Sequence, residues 1–210
     1  MSLPSPVTEQ RPVAKSRYGH LLDIFVRHDP SSMIEIGVWR GDRTVQFLER
    51  GRRLRRYVGF DIFEDISAEM YQKESMGQCV PQTKQGILQR IGPIAERKNC
   101  DVKIVAGRTE DTLSPFARDN KGAFEFIYID GGHSIETIGN DWNCAKELIS
   151  PKGLIVFDDY YLNDDTRGAK RLIDGLLRDT RYRVRFFPVI EDIIEDIQIT
   201  MVAVWPLSSP

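Results

Sequence analysis

Apolar positions along the chain follow two alternating rhythms. Short, nearly continuous apolar runs at 32–36, 57–60, 102–106, 124–129 and 154–157 have the length and composition of strands buried on both faces. Between them, apolar residues recur at helical spacing over 83–98, 110–118, 135–149 and 167–178, with a shorter helix near 43–50. In the last segment Ala169, Leu172, Ile173, Leu176 and Leu177 form one stripe. A helix over 16–27, with Leu21, Leu22, Ile24 and Phe25 on its apolar side, precedes the first strand. This alternation predicts an α/β fold: a doubly wound, Rossmann-like parallel sheet with helices on both faces. The rhythm changes near the end. Segments 182–187 and 198–205 read as strands without a helix between them, which predicts an antiparallel terminal pair.

The pattern fits one domain over 16–210 behind a loose arm, residues 1–15, that carries Pro4, Pro6 and Pro12. Residues 62–82 are the least regular part of the interior. A substrate-facing lid and a solvated connection suit them equally.

Composition narrows the function classes. A hydrophobic fraction of 41% argues against disorder, and a formal net charge of −2 gives no general attraction to nucleic acid or anionic membrane. No apolar stretch reaches the roughly 18 residues expected of a membrane span, and the N-terminus shows no signal-peptide core. Cys79, Cys100 and Cys144 are scattered and odd in number, so a reduced, cytoplasmic setting is expected.

Candidate chemistry gathers where strand runs end. Asp130-Gly131-Gly132-His133 follows 124–129, and Asp158-Asp159 follows 154–157. Neighbouring strands lie about 4.8 Å apart, so acids at the ends of two such strands can share a divalent cation. An all-oxygen ligand set suits Mg²⁺, Mn²⁺ or Ca²⁺. Three acids placed together would repel strongly without one. Either pair alone could be a turn or a solvated loop. His133 shares the loop of Asp130, and imidazole ionises near neutral pH, so it is the candidate general base.

Glu35-x-Gly37-x-x-x-Gly41 follows the first strand and opens a helix. It lacks the G-x-G core of the dinucleotide fingerprint, which favours a ligand without a pyrophosphate at this turn. Glu35 can face a cationic amine. Asp61 ends the second strand, where an acid can accept ribose hydroxyls or cap a helix. The basic run Arg50, Arg52, Arg53, Arg55 and Arg56 precedes that strand, so it belongs to the opposite edge and reads as a solvated face.

Together, Glu35-x-Gly37-x-x-x-Gly41, Asp61, Ile129-Asp-Gly-Gly-His-Ser134 and Phe157-Asp-Asp-Tyr160 resemble the class I S-adenosylmethionine (SAM)-dependent methyltransferases. The resemblance is nearest to the metal-dependent macrocin and mycinamicin sugar O-methyltransferases and their cephalosporin-hydroxylase-like relatives, and covers about residues 31–205. It implies a seven-stranded sheet of order 3-2-1-4-5-7-6 with strand seven antiparallel. It places the Gly37–Gly41 turn beside the methionine part of SAM, Glu35 near its amino group and Asp61 on its ribose. The segment of Gly107 and Arg108 would lie near adenine. Asp130, Asp158 and Asp159 match metal ligands for Mg²⁺ or Mn²⁺, with Asp130 also bordering the cofactor, and His133 matches the general base. The implied reaction is methyl transfer to a hydroxyl of a small molecule such as a sugar or natural product, by a protein that could form a homo-oligomer. The chain is more compact than the macrolide-sugar enzymes, so their acceptors are not carried over. A metal-independent methyltransferase and a non-catalytic SAM- or nucleotide-binding module are the alternatives.

Overall fold

The computed structural model describes residues 16–63, 66, 67, 69, 82–193 and 196–207. The expected arm at 1–15, most of the irregular segment 62–82 and Cys79 lie outside them. In chain order the elements are α1 (Arg17–His28), β1 (Ser32–Ile36), α2 (Asp42–Arg50), β2 (Arg56–Asp61), α3 (Lys84–Lys98), β3 (Asp101–Ala106) and α4 (Thr109–Asp119). There follow β4 (Phe124–Ile129), α5 (Ile135–Leu148), β5 (Ile149–Tyr161), α6 (Lys170–Leu176), β6 (Tyr182–Phe186), β7 (Glu191–Asp192) and β8 (Gln198–Pro206).

The strands form one sheet of order β3-β2-β1-β4-β5-β8-β6. Strands β1 to β5 pair in parallel, and β8 runs antiparallel to both β5 and β6. This is the order expected from the resemblance, with β8 in the place of strand seven. One strand is added: β7, two residues long, pairs with β8 off the main path.

Both sheet faces are apolar because the parallel strands are covered twice. On one face Met33, Tyr57, Phe126, Tyr128, Leu154 and Val156 pack beneath α1, α2 and α3 through Leu21, Phe25, Phe47 and Ile91. On the other, Ile34, Val58, Ile127, Ile155 and Phe157 pack beneath α4, α5 and α6 through Leu113, Trp142, Leu148 and Ile173. Local chemistry starts the helices. Ser16 caps α1, Thr83 caps α3 and Ser134 caps α5, each side-chain oxygen accepting a backbone N–H of the first turn.

Two elements differ from the sequence expectation. Strand β5 extends to Tyr161, so Asp158 and Asp159 lie inside it rather than after it. Helix α6 begins at Lys170, not near 167. Gly168 has φ +72°, and its N–H donates to the His133 carbonyl at 2.8 Å while that of Ala169 donates to the Asp159 carbonyl at 2.7 Å. Those donors are committed to the His133 loop and to β5, and the helix starts after them.

Phe126 sits at the centre of the first face, with ring centroids of Phe25 and Phe47 at 5.2 and 6.1 Å. Phe126→Ala should destabilise the chain by about 3–5 kcal/mol. Urea denaturation should show a lower midpoint with an unchanged slope.

Candidate active site

Register places the site. Ile36 of β1 pairs with Phe60 of β2 and with Ile129 of β4, and Ile129 pairs with Phe157 of β5. The next residue on each strand is Gly37, Asp61, Asp130 or Asp158, so these four form one row at the carboxyl rim. The backbone there is tight. Gly37 N donates to the Phe60 carbonyl at 2.8 Å, and Asp130 N to the Ile36 carbonyl at 2.8 Å. A Cβ on Gly37, whose φ is +91°, would fall 1.8 Å from the Asp130 carbonyl oxygen. Gly37 therefore serves the close approach of the Asp130 loop. Gly41, at φ +74°, is the N-cap of α2.

Asp61 clamps the glycine turn. Its Oδ2 accepts the N–H groups of Val38 and Trp39 at 2.8 and 2.7 Å, and its Oδ1 that of Phe63 at 2.8 Å. A carboxylate offers about four acceptor sites, so the turn itself takes most of them. Gly107, at φ +123°, closes the end of β3 by donating its N–H to the Asp61 carbonyl at 3.0 Å. Arg108 is the N-cap residue of α4 and pairs with Glu110 at 3.2 Å.

Glu35 is sealed beneath α2. It is fully buried, and its Oε2 accepts from Thr44 Oγ1 at 2.7 Å and Tyr57 Oη at 2.5 Å. Among the described residues Oε1 has no hydrogen-bond partner. Burial raises its pKa from 4.5 to about 7, against the pull of the two hydroxyl donors.

Asp130, Asp158 and Asp159 each bring an oxygen to one point, all within 4.8 Å of one another. Adjacent strand residues normally face opposite sides, and a bulge solves this. Phe157 pairs with Val202 and Tyr160 with Thr200, so Asp158 and Asp159 together oppose Met201. Burial, then repulsion from Asp158 and Asp159, pushes the Asp130 carboxyl well above its usual range. Burial also raises Asp158 to about 6, opposed by Arg17 and reinforced by Asp159. Each acid has a phenol donor: Tyr128 to Asp130 at 2.8 Å, Tyr18 to Asp158 at 3.1 Å and Tyr161 to Asp159 at 3.1 Å. Burial, then the facing carboxylates, raises the pKa of all three phenols, so they remain O–H donors. Arg17 ion-pairs with Asp158.

His133 joins this cluster, with Nε2 at 3.3 Å from Asp159 Oδ2. Ser134, as the cap of α5, and the N–H of Gly168 on the His133 carbonyl hold its backbone from both sides. The structure thus brings Asp130, Asp158, Asp159 and His133 together, and ranges Gly37 and Asp61 along the same rim. Sequence reasoning missed Arg17, Tyr18, Tyr128 and Tyr161. Two had a signal: Tyr128-x-Asp130 and Asp159-x-Tyr161 share a side by strand periodicity. Arg17 had none, because 141 residues separate it from its partner Asp158.

The Glu35 shift carries a stability consequence. With 4.5 when unfolded and about 7 when folded, stability is full below pH 4.5 and falls as pH rises through 7, by on the order of 3 kcal/mol. Glu35→Gln removes that titration. Melting temperatures compared at pH 5.5 and pH 8 should therefore differ less in the variant than in the unaltered protein.

Comparisons with known proteins bear on the fold that carries this rim. An O-methyltransferase from Bacillus cereus, solved in complex with SAH, superposes with TM-score 0.63 at 16% identity, over 95% of this chain and 84% of that one. The O-methyltransferase TomG from Streptomyces achromogenes, involved in tomaymycin synthesis and solved with SAM, superposes with TM-score 0.63 at 14% identity, over 93% of this chain and 82% of that one. At these identities the likeness is one of fold. An uncharacterised protein of Acanthamoeba polyphaga mimivirus is 25% identical over 89 residues, which are 42% of this chain and 33% of that protein. The chain therefore spans about a third of that relative. Residues 34–160, from the middle of β1 to the bulged acids of β5, match the family described as a methyltransferase domain, and the chain belongs to that family.

Proposed function

We propose that this chain is a SAM-dependent O-methyltransferase that uses a divalent cation, Mg²⁺ or Mn²⁺, and methylates a hydroxyl of a small molecule such as a sugar or natural product. The observation that carries the reading is His133 against Asp159, beside two further carboxylates and in line with a glycine turn clamped by Asp61. The SAM and SAH held by the solved neighbours support the choice of cofactor.

SAM, when bound, supplies an electrophilic methyl group. Along the rim, Asp61 retains about one acceptor site for a ribose hydroxyl, and the Gly37–Gly41 turn would border the methionine part. Gly107 and Arg108 would border adenine.

The acid cluster fits a hard dication. Three carboxylates, those of Asp158 and Asp159 buried, converge with one arginine and neutral phenols around them, and burial followed by the two facing acids holds the Asp130 carboxyl well above its usual range. Asp130, Asp158 and Asp159 would hold the ion. Such an ion, when bound, would supply Lewis acidity toward an acceptor hydroxyl. His133 then takes the hydroxyl proton. The tautomer that donates from Nε2 to Asp159 has Nδ1 as its basic nitrogen. Asp159 steadies the imidazolium as Asp does in other His–Asp pairs.

One observation favours a second reading. Arg17 already lies on Asp158, so a methyltransferase that needs no metal could use the guanidinium as its only cation. Chelation separates the two.

Methyl transfer from SAM to a panel of polyhydroxylated acceptors should stop after exhaustive chelation and return with Mg²⁺ or Mn²⁺, while SAH binding by calorimetry persists. Full activity in chelator would select the second reading. His133→Ala should lower kcat by roughly 10²–10⁴-fold with SAH affinity nearly unchanged. A uniformly small loss across acceptors of graded acidity would assign His133 to structure. Asp61→Asn should weaken SAH binding by about tenfold or more, and preference for NAD over SAM would sink the cofactor assignment.

A further inference from the structure

Arg17 opens α1 and is 9% exposed, yet two acids from distant elements and the neighbouring Tyr18 hold it. Its Nη1 ion-pairs with Asp158 Oδ1. Its Nε donates to Glu191 Oε2 at 3.0 Å, and its backbone N–H to Glu191 Oε1 at 2.9 Å. Its Nη2 donates to Tyr18 Oη at 3.1 Å, and that hydroxyl donates in turn to Asp158 Oδ2 at 3.1 Å. The ring of Tyr18 is itself fixed, with the Arg43 guanidinium 3.8 Å from its centroid.

Two features of this arrangement matter. Both oxygens of Asp158 are engaged, one by a full positive charge. A dication drawing on Asp158 would meet that charge at close range, inside a buried site where screening is weak. Meanwhile Glu191 grips the arginine by both backbone and side chain. It stands on β7, the two-residue strand outside the main sheet path. Arg17 therefore has a second acid that keeps it paired when it gives up the first, and its fork geometry can satisfy either carboxylate.

We propose that Arg17 is an exchangeable internal cation of the acid cluster: it and a divalent metal ion are alternative partners of Asp158, and metal entry transfers the guanidinium to Glu191. The inference rests on the metal-dependent reading above. It makes the N-terminal turn of α1 responsive to the metal, because the group that leaves Asp158 belongs to that helix. It also gives one of the three converging acids a cation before a dication arrives.

Mn²⁺ binding to the full chain, followed by electron paramagnetic resonance and calorimetry, tests it. Arg17→Gln should tighten Mn²⁺ binding by roughly tenfold or more, since the competing charge is gone. Arg17→Lys, which keeps the charge, should stay near the unaltered protein. Glu191→Gln should weaken binding, because the displaced arginine loses its second acid. Asp192→Asn removes the same charge one residue along and should leave affinity within about twofold. Melting temperature supplies a readout independent of affinity: Arg17→Gln should lose stability in chelator and recover more than the unaltered protein when Mn²⁺ is added. Equal or weaker Mn²⁺ binding by Arg17→Gln overturns the exchange and leaves the metal site standing. Absence of Mn²⁺ binding in both the unaltered protein and Arg17→Gln overturns the exchange and the metal reading together.

Discussion

Everything at the rim depends on the common row at which β1, β2, β4 and β5 cease regular parallel pairing. Parallel hydrogen bonding keeps Ile36, Phe60, Ile129 and Phe157 abreast. The backbone therefore delivers a glycine turn and three acids to the same level without any side chain having to reach. Gly37 is the tightest point of that row, because the space of a Cβ is taken by the Asp130 carbonyl. Any larger residue there would push the β1 turn and the Asp130 loop apart, and with them the two halves of the site.

Bringing three carboxylates together, two of them buried, is costly, since they lose hydration and repel one another. The protein offsets this in layers. Tyr128, Tyr18 and Tyr161 each give one acid a neutral donor, and Arg17 gives one acid a charge. The imidazole of His133 lies against the third. Burial and the two facing acids still hold the Asp130 carboxyl well above its usual range. Three converging carboxyls answered by one full positive charge suit a hard cation or a cationic ligand.

Much of the fold was legible in the sequence because its two apolar rhythms differ in length and period. All five parallel strands and the antiparallel end can be read from runs such as 124–129 and 154–157. The short β7 could not be read, since two charged residues, Glu191 and Asp192, carry no pattern and pair only because β8 lies beside them. The start of α6 was misjudged for a related reason. Its apolar stripe extends back to Ala169, but the N–H groups of Gly168 and Ala169 bond to the carbonyls of His133 and Asp159.

The residues of the acid cluster were also legible, as Asp130-Gly-Gly-His133 and Asp158-Asp159 each follow a strand-like run. Sequence by itself determined the sheet class, the edge on which chemistry gathers and the identity of its acids, because these follow from local periodicity and residue type. Tertiary structure decided the rest. The bulge that turns Asp158 and Asp159 to one side exists only through the register of β5 against β8. The turn-clamping use of Asp61, the sealing of Glu35 under α2 and the arrival of Arg17 at Asp158 each depend on groups far apart in the chain meeting in space. Long-range pairing has no local signature, so only the packed chain could show which charges answer one another.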